Sequence, residues 1–156
     1  MNLSKNFILI LIYSSVFLII GQVTVYLPSW LNKELSLDAR IISLILGITA
    51  LIKSFTNIAL IKYIKEPKHL KNYLYLLCIF LIISYFLIIL FLNYNATTLI
   101  IILVVISLVV FSPSIPVIEN INNNINKEFN FNYGKIRLFG SISFLISVFL
   151  VGFLIN

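Results

Sequence analysis

Residues Leu99–Phe111 read Leu-Ile-Ile-Ile-Leu-Val-Val-Ile-Ser-Leu-Val-Val-Phe, with one hydroxyl and no charge. A half-buried strand would alternate apolar with polar residues, and an amphipathic helix would interrupt the run every third or fourth position. This stretch does neither. Followed outward, the apolar character holds from Thr98 to Ile118, close to the roughly 20 residues that carry a helix across about 30 Å of hydrocarbon. Lipid offers the backbone no hydrogen bonds, so a spanning segment is either a helix or a strand of a closed barrel, and a barrel strand needs alternation over about ten residues. The run is therefore a membrane-spanning helix.

Four more runs have the same character: Phe7 to Leu31, Ile41 to Ile61, Tyr73 to Leu92 and Leu138 to Ile155. Hydrophobic residues make up 61% of the 156 and charged residues 10%, where a soluble domain carries about 25% charge. The fold class that follows is all-α: a polytopic membrane protein of five transmembrane helices, with the lipid bilayer as its first partner.

A net charge of +6 would suit a nucleic-acid binder, but the placement of the basic residues argues against one. Lys5 precedes the first span; Lys62, Lys65, Lys68 and Lys71 separate the second from the third; Lys127, Lys135 and Arg137 lie before the fifth. Lys33 and Arg40 are on the other side, offset by Glu34 and Asp38. Eight basic residues against two, in short loops, predict a cytoplasmic amino terminus. The first run continues past Gly21 to Leu31 without an Ala-x-Ala type site, so it reads as a span and not as a cleaved signal peptide. The acceptor-like triplet Asn95, Ala96, Thr97 occupies a loop of a few residues and reads as a chance match. The asparagine-rich segment Asn120 to Tyr133 reads as a solvated connector.

Within the spans, polar and small residues recur at helical spacing. Ser15, Gln22 and Tyr26 share one face of the first, and Ser43, Gly47, Ala50, Ser54 and Asn57 share one face of the second. Gly140, Ser143 and Ser147 share a face of the fifth. Helix packing through small residues accounts for the stripes in the second and fifth spans. Gln22 fits either a cavity-facing role or an interhelical bond. The third span has only Cys78, Ser84 and tyrosines to relieve it and is expected to face lipid. In the fourth, Pro113 and Pro116 each remove a backbone donor, which predicts a kink, and Glu119 follows within a turn.

Lys53 is the most informative polar residue. It lies about two residues past the midpoint of its span, near 3 Å from the bilayer centre. An ionised lysine there costs about 2.5 to 3.5 kcal/mol on insertion scales, which flanking leucines and isoleucines offset at a few tenths each. Its charge still needs a partner or water. One role is to attract anions or respond to protons in a transport pathway; the other is to pair with a carboxylate or carbonyl for structure. Glu119 likewise fits two places, hydrated at the inner boundary or held inside by the kink and suited to proton coupling.

No enzyme site is legible. His69 lies among lysines in an inner loop, no cysteine and histidine cluster suggests a metal, and no glycine-rich phosphate loop suggests a nucleotide cofactor. Cys78 has no cysteine to pair with and is expected to be a packed, inert thiol.

Ahead of the fifth span the chain reads Tyr133, Gly134, Lys135, Ile136, Arg137, Leu138, Phe139, Gly140, Ser141. This resembles the Tyr-Gly-[Lys/Arg]-[Val/Ile]-Arg-Leu-Trp-Gly-Ser signature of a branch of the major facilitator superfamily similar to the 3-phenylpropionate and nucleoside proton symporters, with Phe139 where that branch has tryptophan. Collinear with it, Leu27 to Trp30 resembles the branch's Leu-Pro region, Gly47 to Phe55 its second span with a basic residue at Lys53, and Phe111 to Glu119 its Phe-Ser-Pro-x-x-Pro segment with an acidic residue at Glu119. The inner loop after span two lacks the Gly-and-Asp pattern common elsewhere in the superfamily.

The resemblance implies twelve helices in two halves, solute bound near the midplane between them, and alternating access. Against that plan residues 1–156 correspond to the first five helices of the amino-terminal half, truncated, with the second half absent. The implied function is that of the amino-terminal portion of a proton symporter for a small organic solute such as an aromatic acid, in a bacterial inner membrane. Its partners would be the solute, the proton and a separately encoded carboxy-terminal half. Gln22, Tyr26, Lys53, Asn57 and Glu119 are then the pathway candidates, and Tyr133, Gly134, Lys135, Arg137 and Gly140 carry the family motif. The competing reading is a truncated, non-transporting remnant or a small integral protein that acts through helix contacts.

Overall fold

The computed structural model describes the backbone of residues 2–63, 67–120 and 133–155, and side chains over 7–59, 72–120 and 134–154. The side chains of Lys5, Lys62, Lys65, Lys68, His69, Lys71, Lys127 and Tyr133, and the connector 121–132, lie outside the described residues. The helices are α1 (Asn2–Leu35), α2 (Ala39–Tyr63), α3 (Pro67–Asn93), α4 (Thr97–Phe111), α5 (residues 114–120) and α6 (Tyr133–Ile155). Five helical stretches, the fourth running through α4 and α5, are long and apolar enough to cross a membrane, and no strand occurs among the described residues. Each expected run is contained in its helices, which extend beyond it at most ends. The last difference matters most for the motif: α6 begins at Tyr133, so Tyr133 to Phe139 form its first two turns and are not a loop ahead of it.

Local chemistry explains where the helices stop. Ser36 takes φ 51°, a left-handed conformation that ends α1, and Asp38 opens α2 by accepting the Ala39 N–H on its carboxylate (2.9 Å) and the Ile42 N–H on its carbonyl (3.0 Å). Asn95, at φ 52°, turns α3 into α4. Inside the spans, Ser43, Thr49, Ser54, Thr56, Ser107 and Ser143 donate their hydroxyls to carbonyls one turn back on their own helix (2.6–3.0 Å). That is the low-cost way to keep a hydroxyl in lipid.

The chain forms two compact units, 1–36 with 118–156, and 37–117. In the first, α1 packs along α6 through small residues. A Cβ on Gly140 would lie 2.6 Å from the Tyr13 ring, itself stacked on Phe17 with centroids 4.9 Å apart; a Cβ on Gly21 would lie 2.9 Å from the Phe144 carbonyl oxygen. The close approach lets Ser147 Oγ donate to the Leu18 carbonyl (2.7 Å) and the Tyr26 hydroxyl to the Val148 carbonyl (2.6 Å). Lipid supplies no hydrophobic drive between spans, so such contacts and bonds carry the association.

In the second unit α4 packs against both α3 and α2. Leu77, Ser84 and Ile88 are buried on one face of α3, and Ile100, Val104 and Leu108 on one face of α4. The helix breaks at Ser112 and Pro113 and resumes as α5. Val110, whose carbonyl in an unbroken helix would face the Ser114 N–H, accepts the Tyr73 hydroxyl from α3 (2.6 Å).

Two expectations need correction. Cys78 is exposed, not packed: it follows buried Leu77 by one residue, about 100° round the helix, and so turns away from the face that α3 buries. The stripe Ser43, Gly47, Ala50, Ser54 on α2 is also open, with nothing within 4 Å of a Cβ on Gly47. The side of α2 that is covered is the neighbouring one, where Ile42 and Thr49 are buried and Lys53, Thr56 and Asn57 are half-buried.

Candidate functional site

Lys53 stands on that covered side of α2, one turn after Thr49 and one turn before Asn57. Residues four apart on a helix are neighbours, with Cβ atoms about 5–6 Å apart, so the Lys53 and Asn57 side chains leave α2 from adjoining places and the ammonium can reach the amide. Among the described residues Lys53 has neither an ion-pair nor a hydrogen-bond partner. Asn57 is tied: its Oδ1 accepts the Ser112 hydroxyl at 3.0 Å, which joins α2 to the broken end of α4. Two residues further on, the fully buried Ser114 hydroxyl has no partner among the described residues.

Ser112 stands at the break. Its N–H is shared between the Leu108 and Val109 carbonyls (3.1 and 3.3 Å), while Pro113 offers none to continue the ladder. Ser43, Thr49, Ser54, Thr56 and Ser107 bond back along their own helices, and Ser112 instead reaches a side chain on α2. Lys53, Asn57 and Ser112 thus form one polar cluster, entirely within the second unit.

The remaining candidates belong to the first unit. Gln22 is exposed on α1 and its side-chain amide has no hydrogen bond among the described residues. Tyr26 is half-buried and its hydroxyl proton is committed to the Val148 carbonyl, beside Gly152, where a Cβ would lie 2.5 Å from the hydroxyl oxygen. Glu119 is half-buried near the end of α5. Of the motif residues, Gly140 is buried against Tyr13 and Phe17, while Gly134, Lys135 and Arg137 are exposed in the first turns of α6. A helix amino terminus disfavours a cation in its first turn by about 0.3–1 kcal/mol, so Lys135 adds nothing to the stability of α6.

The structure thus brings together Lys53 and Asn57 and adds Ser112 and Tyr73, which the sequence did not single out. The signal was present in both: a hydroxyl directly before a proline in an apolar run, and a tyrosine at the mouth of the neighbouring span. No group of three or more potential metal ligands occurs among the described residues.

Residues 7–156 match the model of the MFS_1 like family. A curated relative, the "Probable 3-phenylpropionic acid transporter" of Escherichia coli (strain K12), is 26% identical over 134 residues, which is 85% of this chain and 35% of the relative. The chain therefore spans about a third of that relative's length. No solved structure matches the chain.

Proposed function

Because the chain belongs to the MFS_1 like family, the major facilitator kinship that its Tyr133 to Ser141 motif implies, we propose that its helices form part of a proton symporter for a small organic solute, an aromatic acid by preference. The observation that carries this reading is Lys53. A cation near the middle of an apolar span, without a counter-ion among the described residues, retains its charge for something that arrives. An anionic solute meets that need, and the name of the Escherichia coli relative supports an aryl-substituted acid as the first one to try.

Taken by itself, the first unit offers Gln22 as a hydrogen-bonding group and Glu119 as a proton-exchanging one, and Tyr26 steadies α1 on α6. The distribution of lysine and arginine supports a cytoplasmic amino terminus, and the resemblance supports a bacterial inner membrane. A carrier also accounts for polar residues set inside spans without the nucleophile, base or cofactor loop that an enzyme would need.

The test is uptake of radiolabelled 3-phenylpropionate by the full-length protein in proteoliposomes, with and without an inward proton gradient. Loss of one charge-assisted hydrogen bond, about 1.5–3 kcal/mol, predicts that Lys53→Met lowers uptake at least about tenfold. Unchanged uptake in Lys53→Met removes Lys53 from the pathway. Uptake indifferent to the gradient sinks proton coupling, and no uptake above empty vesicles sinks the acid carrier itself.

A further inference from the structure

We infer that Lys53 and Asn57 form a two-point cradle for a carboxylate, with Ser112 as the positioning residue that holds the Asn57 amide in place. The inference rests on the carrier reading above and specifies the chemistry of its site. An asparagine amide presents one acceptor oxygen and one nitrogen with two donors. Ser112 occupies the oxygen at 3.0 Å, and the Nδ2 donors have no partner among the described residues. The end left available is therefore the donating one.

That orientation suits the neighbouring ammonium. Lys53 alone would attract any anion, since an ammonium is a point charge with freely rotating donors. With Asn57 one turn away, the two oxygens of a carboxylate can be met at once, one by the ammonium and one by an amide N–H. Hydrogen bonds to charged groups are the strong ones. A flipped or turned-away amide would not meet the carboxylate with a donor, and removing the Ser112 hydroxyl takes away the tether that holds the side chain in place. An uncharged amide analogue of the same acid can use the Asn57 donor but gains little from the ammonium, so discrimination between acid and amide measures the cradle.

The experiment is direct binding of radiolabelled 3-phenylpropionate and of 3-phenylpropanamide to full-length protein in lipid nanodiscs, alongside the uptake assay. The wild-type protein is expected to prefer the acid by at least about tenfold. Ser112→Ala should weaken the acid by about three- to tenfold and leave the amide unchanged, and Asn57→Leu should shrink the preference as much or more. Ser112→Thr, which keeps the hydroxyl, should restore it.

If Ser112→Ala and Asn57→Leu keep the wild-type preference while Lys53→Met abolishes acid binding, the cradle is wrong and the carrier reading stands on Lys53 alone. Equal loss of acid and amide in Ser112→Ala makes Ser112 a structural link between α2 and α4, and overturns its positioning role. Failure of the wild-type protein to bind or take up the acid overturns both readings together.

Discussion

Replacing Gly21 with alanine tests the α1–α6 seam, and the structure fixes both the sign and the size of the effect. Alanine is favoured over glycine in a helix by about 0.8–1.0 kcal/mol. Against that gain, the new Cβ would lie 2.9 Å from the Phe144 carbonyl oxygen and 3.0 Å from Ser147 Oγ. Carbon and oxygen rest comfortably at about 3.3–3.6 Å, and the Phe144 oxygen is backbone, so α6 itself has to withdraw by about 0.4 Å or more. The withdrawal stretches the Ser147–Leu18 bond from 2.7 Å to about 3.1 Å, past the usual range for O–H···O. Interhelical bonds in membranes average about 0.6 kcal/mol and overpacking costs about 1–3 kcal/mol. The net expectation is a protein about 1–2 kcal/mol less stable.

Gly47→Ala is the matched control, because nothing lies within 4 Å of its Cβ and only the helix gain remains. The two variants should differ by about 2–3 kcal/mol in opposite directions from wild type. Unfolding by dodecyl sulfate in mixed micelles, followed by the fluorescence of Trp30, gives the comparison directly. A Gly21→Ala protein as stable as Gly47→Ala would refute the close approach of α1 and α6.

Three further outcomes are expected. Tyr73→Phe should cost about 1 kcal/mol in the same titration by removing a donor from the Val110 carbonyl, while Tyr75→Phe, exposed two residues on, should stay within about 0.3 kcal/mol; equal effects would mean that the bond at the break contributes nothing. A nitroxide attached at Cys78 should relax faster with oxygen than with a water-soluble nickel chelate, and the reverse would place that face of α3 against water. Alkaline phosphatase fused after Asn95 should be active and after Lys65 silent; the opposite pattern would invert the topology argued from basic residues.

Much of this was legible in the sequence, for physical reasons that also set the limit. Apolar runs such as Leu99–Phe111 leave the backbone no choice but a helix, and Pro113 cannot continue the ladder whatever surrounds it. Periodicity also placed Gly140 and Ser147 together on α6, where both meet α1. It could not say which side of α2 is covered. In water the buried face of a helix is marked by its apolar residues, but in lipid every face is apolar and the mark disappears. The small-residue stripe Ser43 to Ser54 looked like a packing face for that reason, and the chain leaves it open. Cys78 failed in the same way, since only the angular offset from Leu77 separates exposed from buried there.

The candidate site was half legible because half of it depends on a defect. Lys53 and Asn57 declare themselves by charge and spacing on one helix, but Ser112 matters only because α4 fails beside it. In an uninterrupted span a serine can bond back to the carbonyl one turn earlier, as Ser107 does to Leu103 at 2.7 Å. Beside the break the Ser112 N–H is split between the Leu108 and Val109 carbonyls, and the hydroxyl goes to Asn57 instead. The Tyr73 hydroxyl meanwhile serves the Val110 carbonyl from the other side. At the break one hydroxyl thus bonds away from its own backbone, and it holds the amide one turn from Lys53, which has no counter-ion among the described residues. Restoring the ladder with Pro113→Ala should return Ser112 to its own helix and reduce acid discrimination about as much as Ser112→Ala, while leaving Lys53 untouched. Full discrimination in the straightened helix would separate the break from the site.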